Sequence, residues 1–425
     1  MDSTPSDAPA TLRSVTRWLK VLAVLVIASW GLLAIQMLPR NDGDTGASNA
    51  DTHSAASRSA TPPTRAATDR APWGQLSYVP ITISPPLELM PPASPPTPGE
   101  VQWHFPNTIS ERLPALFSEI GLSEPLRKKL LPLAEIDPGI EGLTIRPTRE
   151  IVLGLSPEER SALYVTLAEF RENLDQRNAF RFCGNSLDEW LEYSPLSPET
   201  RKLIEPLVYR HGSFLFFADL RSIDESLPSP EERSGLIKAL SHESTFQVRL
   251  EYSEQSDLEQ LVEYWGRGGR TREVRPILES LCEARGARSI DVTLLLPPFA
   301  RSRLYTYQVF AEVKPGCYRD CHWAALNFFS EQPDDRFSDL LEVARAIKAD
   351  YYRIYGNLRL GDLVTFVDNQ QNQIHTAVFI ADDFLFTKSG HGSSSPWMLM
   401  KIENLKDFYP RRGGLQVVCY RRKDL

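Results

Sequence analysis

The chain has 425 residues, of which 42% are hydrophobic, 24% charged and 10% aromatic, room for two or three domains rather than one core. A net charge of -8 removes the electrostatic case for a nucleic-acid partner, and none is expected. The 33 prolines are unevenly spread, and that unevenness marks the organisation.

From the N-terminus, residues 21–38 read "VLAVLVIASWGLLAIQML", an uncharged run just long enough to cross a bilayer core. Arg13, Arg17 and Lys20 precede it, whereas Asp42, Asp44 and Asp51 follow. Residues 1–20 are therefore expected in the cytoplasm and 21–38 as one transmembrane helix in the inner (cytoplasmic) membrane, with the C-terminal part extracytoplasmic or periplasmic. That makes the lipid bilayer an expected partner. A cleaved signal peptide is the rival reading, but the tidy small-residue site ends only at Ala50, well beyond the apolar run. Residues 39–100 are rich in Pro, Ser and Ala, and "PPASPPTP" (91–98) suits an extended, disordered tether.

Residues 101–300 are expected to be mostly helical with a small α/β unit, of unknown function. "LSPEER" at 155, "LSPET" at 196 and "PSPEER" at 228 each offer a capping serine, a first-turn proline and acids for the helix dipole. Leu163, Leu167, Phe170 and Leu174 then recur at helical spacing. "TFQVRLEY" (245–252) alternates as a half-buried strand does, and "SIDVTLLLPP" (289–298) reads as a second strand. Between them, "SDLEQLVEYW" and "EVRPILESLCEA" read as helices. "WGRGGRTREVR" gathers Arg267, Arg270, Arg272 and Arg275, but its glycines fit neither a P-loop nor a dinucleotide fingerprint, so it reads as a solvated, mobile loop.

The chemistry lies in residues 301–425. Asp320 can cap a helix that starts at Cys321, and "CHWAALNFF" supplies its apolar face. A thiol at a helix N-terminus is favoured as the nucleophilic thiolate. Three histidines fall in this region: His322, His375 and His391. His322, the next helical residue, points about a quarter turn away. His375 opens a strand, "IHTAVFIA" (374–381), which follows the strand "LVTFV" and the polar loop "NQQNQ". A rigid strand presenting one imidazole to a cysteine is what covalent catalysis requires; a surface-facing strand histidine is the alternative.

"DCHWAALNFF", "GDLVTFV" and "HTAVFIADDFLFTKSG" together resemble the NlpC-type cell-wall cysteine peptidases, over roughly residues 310–425. The resemblance implies an α+β fold whose C-terminal papain-like domain packs a Cys-bearing helix on an antiparallel sheet. It also implies Cys321 as nucleophile, His375 as base, and peptide or amide substrates, often in peptidoglycan. His322 and Trp323 stand where the family commonly has serine and glycine. The family's third polar residue, which orients the imidazole, falls at Thr387. If the hairpin after the strand has an odd loop, Thr387, Ser389 and His391 share the face of His375; a two-residue loop would present Lys388, which has no acceptor.

Cys317 and Cys321 form a C-x3-C pair without a second pair at zinc-ligand spacing, so neither metal nor cofactor is expected. Outside the cytoplasm, some of Cys183, Cys282, Cys317, Cys321 and Cys419 could form disulfides, and a Cys317–Cys321 bridge would silence the nucleophile. Two functions of different class follow. One is a membrane-anchored thiol hydrolase cleaving peptide or amide bonds. The other is a catalytically inactive envelope scaffold or binding protein of the same fold.

Overall fold

The computed structural model describes residues 71–90, 100–284, 288–309, 317, 319–390, 392 and 394–425. Four antiparallel sheets joined by short helices make up the unit that spans residues 66–425. The strands are β1 (Gln75–Ile83), β2 (Trp103–Pro106), β3 (Ala134–Asp137), β4 (Gly142–Ile145), β5 (Phe180–Cys183), β6 (Tyr209–His211), β7 (Phe214–Phe217), β8 (Glu243–Glu251) and β9 (Ser289–Asp291). The last six are β10 (Tyr351–Ile354), β11 (Leu363–Val367), β12 (Gln373–Ala381), β13 (Phe384–Lys388), β14 (Trp397–Lys401) and β15 (Gln416–Arg422). Three sheets have three strands each, in the orders β1-β8-β9, β2-β4-β3 and β5-β7-β6. The fourth has six, in the order β10-β15-β11-β12-β13-β14.

This architecture corrects the expected fold class. The transmembrane helix expected at 21–38 lies outside the described residues, and among those described no helix is long and apolar enough to cross a membrane. Residues 101–300 are not a helical region with one α/β unit but a mixture of short helices and all or part of three antiparallel sheets. The expected tether also contains ordered structure, because β1 pairs along its whole length with β8, from Gln75 opposite Glu251 to Ile83 opposite Glu243. The second expected strand ends early: β9 is three residues long, and Val292–Leu295 turns into a 3-10 helix after Asp291 caps it.

The arginine-rich stretch is likewise more than a loop. Arg270 is 7% exposed and donates to the carbonyls of Trp265, Leu295 and Leu296, while Arg275 grips Glu259 from the helix Thr271–Glu283. The serine signals do cap helices. Ser156, Ser197 and Ser229 each accept a backbone N–H three residues on, and Ser156 forms a reciprocal capping box with Glu159.

The six-stranded sheet separates two cores. Val378, Ile380, Phe384, Phe386, Trp397 and Leu399 point to one face, against Trp323, Ala324 and Leu326 of the Cys321–Leu326 helix. Val364, Phe366, Ala377, Phe379, Leu385, Met398 and Met400 point to the other, against Trp103, Phe117 and Leu163. Both faces are covered, which is why β12 reads as a near-continuous apolar run instead of alternating. Both cores draw side chains from either side of position 300. Thr245 of β8 tightens the join by exchanging hydrogen bonds with the Leu399 backbone of β14, at 2.8 and 3.1 Å.

Candidate active site

Asp320 places Cys321. Its Oδ1 accepts the backbone N–H groups of His322 at 2.9 Å and Trp323 at 3.0 Å, which fixes Cys321 as the first residue of the helix. Trp323 anchors that helix: it is fully buried, packs on Phe299 and Trp397, and donates from its indole to Asp335. The helix lies on β12 and β13. At six residues it is under two turns long, so its dipole is small.

His375 is fully buried at the other face of β12, where its partner across β11 is Phe366 and its ring lies 4.9 Å from that of Tyr409. The imidazole Nε2 is 2.5 Å from the Thr387 hydroxyl, and Nδ1 has no hydrogen-bond partner among the described residues. The route by which Thr387 reaches this face differs from the expected one. Ala381 pairs with Phe384, so the hairpin loop has two residues, with Asp382 at a φ of 56°. A two-residue loop alone would turn Lys388 toward the imidazole. A β-bulge between Phe379 and Ala381 inserts one extra residue and restores the parity, bringing Thr387 to the face of His375. Ser389 is buried, with its side chain toward the Glu243 carboxyl, and His391 lies outside the described residues.

Lys388 therefore points to the opposite face, the one on which the Cys321 helix packs. It is fully buried, donates to the carbonyls of Gly390 at 2.6 Å and Gly392 at 3.0 Å, and lies 5.4 Å above the Trp397 ring. Burial pushes its ammonium down to about 7, and the nearby Cys321 and Asp320 pull it back up. Burial also drives the Tyr409 phenol well up, with Cys321 the next contributor. Cys321 thus sits at the end of the sheet, felt electrostatically by Lys388 from one face and by Tyr409 from the other. No hydrogen bond joins Cys321 to His375 among the described residues.

A cleft of about 630 Å³ opens at this end. Cys321, His322, Gln373, Tyr409, Arg181 and Glu243 are among the residues that line it. His375 stands one ring behind its surface, under Tyr409. Arg181 is fixed by the carbonyl of Phe408 at 2.6 Å and stacks 4.4 Å over the Phe408 ring. Burial raises the Glu243 carboxyl to about 7, opposed by Arg181. Burial likewise lowers His322, with Asp320 opposing. The region of unknown purpose, 101–300, thus supplies half of the cleft wall.

No family model matches this chain, and no curated protein matches it.

The donor atoms of Asp320, Cys321 and His322 lie within 4.8 Å of one another. Asp320 Oδ1 is already taken by two backbone N–H groups, so we assign no metal to them. All five cysteines are free thiols, Cys317 and Cys321 included. Sequence reasoning missed Lys388, Tyr409, Arg181 and Glu243. The signal for Lys388 was available, as a lysine embedded in the apolar run "FLFTKSG".

Proposed function

We propose that the protein is a cysteine hydrolase that cleaves peptide or amide bonds, with peptidoglycan stem peptides as the substrate class suggested by its resemblance to the NlpC-type peptidases. The observation that carries this reading is the placing of a thiol at the capped start of a packed helix, on the wall of a peptide-sized cleft. In the proposed cycle Cys321 attacks the scissile carbonyl and the leaving amine takes a proton from the imidazolium of His375. Water then releases the acyl group from sulfur and gives its proton back to His375, which restores the imidazolium. Thr387 holds Nε2 and leaves Nδ1 as the ring nitrogen available to the reacting groups. Because His375 lies behind Tyr409, proton transfer requires that phenol ring to turn aside.

The test is to incubate the protein with peptidoglycan fragments and with activated acyl esters, then to look for an acyl adduct on Cys321 by mass spectrometry. An adduct that forms in wild type, is lost in Cys321→Ala and accumulates in His375→Ala supports the reading. Acylation unchanged in Cys321→Ala contradicts it.

One observation favours a second reading, a binding module without turnover. The helix of Cys321 and the His375–Thr387 pair pack against opposite faces of the sheet and share no hydrogen bond. In that case peptidoglycan fragments bind with equal affinity to wild type and to Cys321→Ala, and none is cleaved.

A further inference from the structure

The usual sources of thiolate stabilisation are weak at Cys321. Its helix is six residues long. The adjacent Asp320 carboxylate opposes a second negative charge, and burial disfavours the charged form of His322. His375 makes no hydrogen bond to the sulfur. What remains is a cation that the fold treats unusually. Lys388 sits fully buried in mid-sheet, satisfied by two glycine carbonyls, with no carboxylate at ion-pair distance among the described residues. A buried ammonium without a carboxylate partner is costly, and packing alone gives no reason to retain it. The β-bulge decides its direction: in a regular ladder with the same two-residue loop and Ile380 paired, Lys388 would lie opposite Ala377, share a face with His375 and point away from the Cys321 helix.

We infer that Lys388 is a positioning residue for the reaction: its ammonium, on the Cys321 side of the sheet, is the counter-charge that keeps the Cys321 sulfur ionised. The step is a simple proton transfer. The S–H bond of Cys321 breaks and an N–H bond forms on the neutral Lys388 amine, leaving a thiolate and an ammonium with no outside reactant. The charged groups that Lys388 feels are Cys321 and Asp320, both at the start of the helix packed on its strand. The two glycine carbonyls that hold Nζ belong to the loop lining the cleft, so the cation is tied to the cleft wall itself. The inference rests on Cys321 being the nucleophile proposed above, but it concerns the state of the sulfur and not the substrate.

The experiment is the pH profile of Cys321 alkylation by iodoacetamide in the full-length protein, read by peptide mass spectrometry. Lys388→Met should slow alkylation at pH 6.5 about tenfold and move the profile to higher pH, as loss of a modest favourable charge interaction would. Lys388→Arg should restore most of the rate, and Asp320→Asn, which keeps a capping side chain, should raise it. A purely structural role for Lys388 would lower the melting temperature without moving the profile. A folded Lys388→Met protein with an unchanged profile overturns the inference.

Should that variant fail to fold, reciprocity supplies the second measurement. In Cys321→Ala the Lys388 ammonium, followed by NMR of a labelled lysine side chain, should lose its proton at lower pH than in wild type; an unchanged midpoint overturns the inference. Failure of the functional reading looks different: the profile responds to Lys388 as expected, but no acyl adduct forms on Cys321.

Discussion

His375 gains one hydrogen bond and forgoes another, and that imbalance makes Thr387 measurable. Thr387→Val removes the one hydrogen-bond partner that the fully buried imidazole has among the described residues and should destabilise the fold by about 1–3 kcal/mol in urea unfolding. Thr387→Ser, which keeps the hydroxyl, should recover most of that loss. Glu243 gives a pH-dependent prediction. Burial raises its carboxyl from 4.5 to about 7, so the folded state holds a proton that the unfolded chain releases. Its contribution is therefore greatest below pH 4.5 and is lost as pH rises through 7. Glu243→Gln should flatten the fall in stability between those limits, and an equally steep fall in the variant would remove Glu243 as its source.

The spacing of Thr387 from His375 was legible in the sequence. The role of Lys388 was not, because a lysine has no acceptor to orient an imidazole, and nothing in the local sequence tells what it meets on the other face of the sheet.

At the scale of single elements, local chemistry was readable and short strands were not. Ser156, Ser197 and Ser229 announced their helices because a cap is decided within four residues. Ser156→Ala should lower stability by about 1 kcal/mol, because the Glu159 backbone N–H loses its capping acceptor, and thermal unfolding would show it. The three-residue β6 and the four-residue β2, β3, β4, β5 and β7 carry too few alternations for a period of two to be recognised. Phe214–Phe217, "FLFF", has no alternation at all, since both of its faces are buried. The bulge in β12 was invisible for a related reason: one inserted residue in an apolar run changes the facing of all that follows without changing its composition.

At the scale of the molecule, composition misled by averaging. The proline-rich stretch from 39 to 100 reads as one tether, yet β1 lies inside it and covers an edge of β8. Trp73, just before β1, also accepts at its carbonyl from the Trp265 indole at 3.1 Å and packs against Tyr264 and Phe379. A chain beginning at residue 71 should therefore unfold cooperatively near the wild-type temperature. One beginning at residue 101 should expose the edge of β8 and aggregate or melt several degrees lower, as light scattering during a thermal ramp would show. Equal behaviour of the two truncations would mean that β1 contributes nothing to the unit. The cleft argues the same point, because Arg181 and Glu243 reach it from 140 and 78 residues before Cys321, and no local pattern links them.

The central claim is that Cys321 is an activated thiol, and competition among the five cysteines tests it most directly. Cys183 and Cys419 are pushed up to about 11 by burial, so both should be slow to react at neutral pH and below. With the protein reduced and a dilute alkylating probe added at about pH 6.5, the account predicts that Cys321 is labelled first, although it is only 8% exposed. His375→Ala should slow that labelling, and Thr387→Val should slow it less. Labelling of Cys321 no faster than Cys183 and Cys419, and unaffected by the histidine change, would contradict the claim.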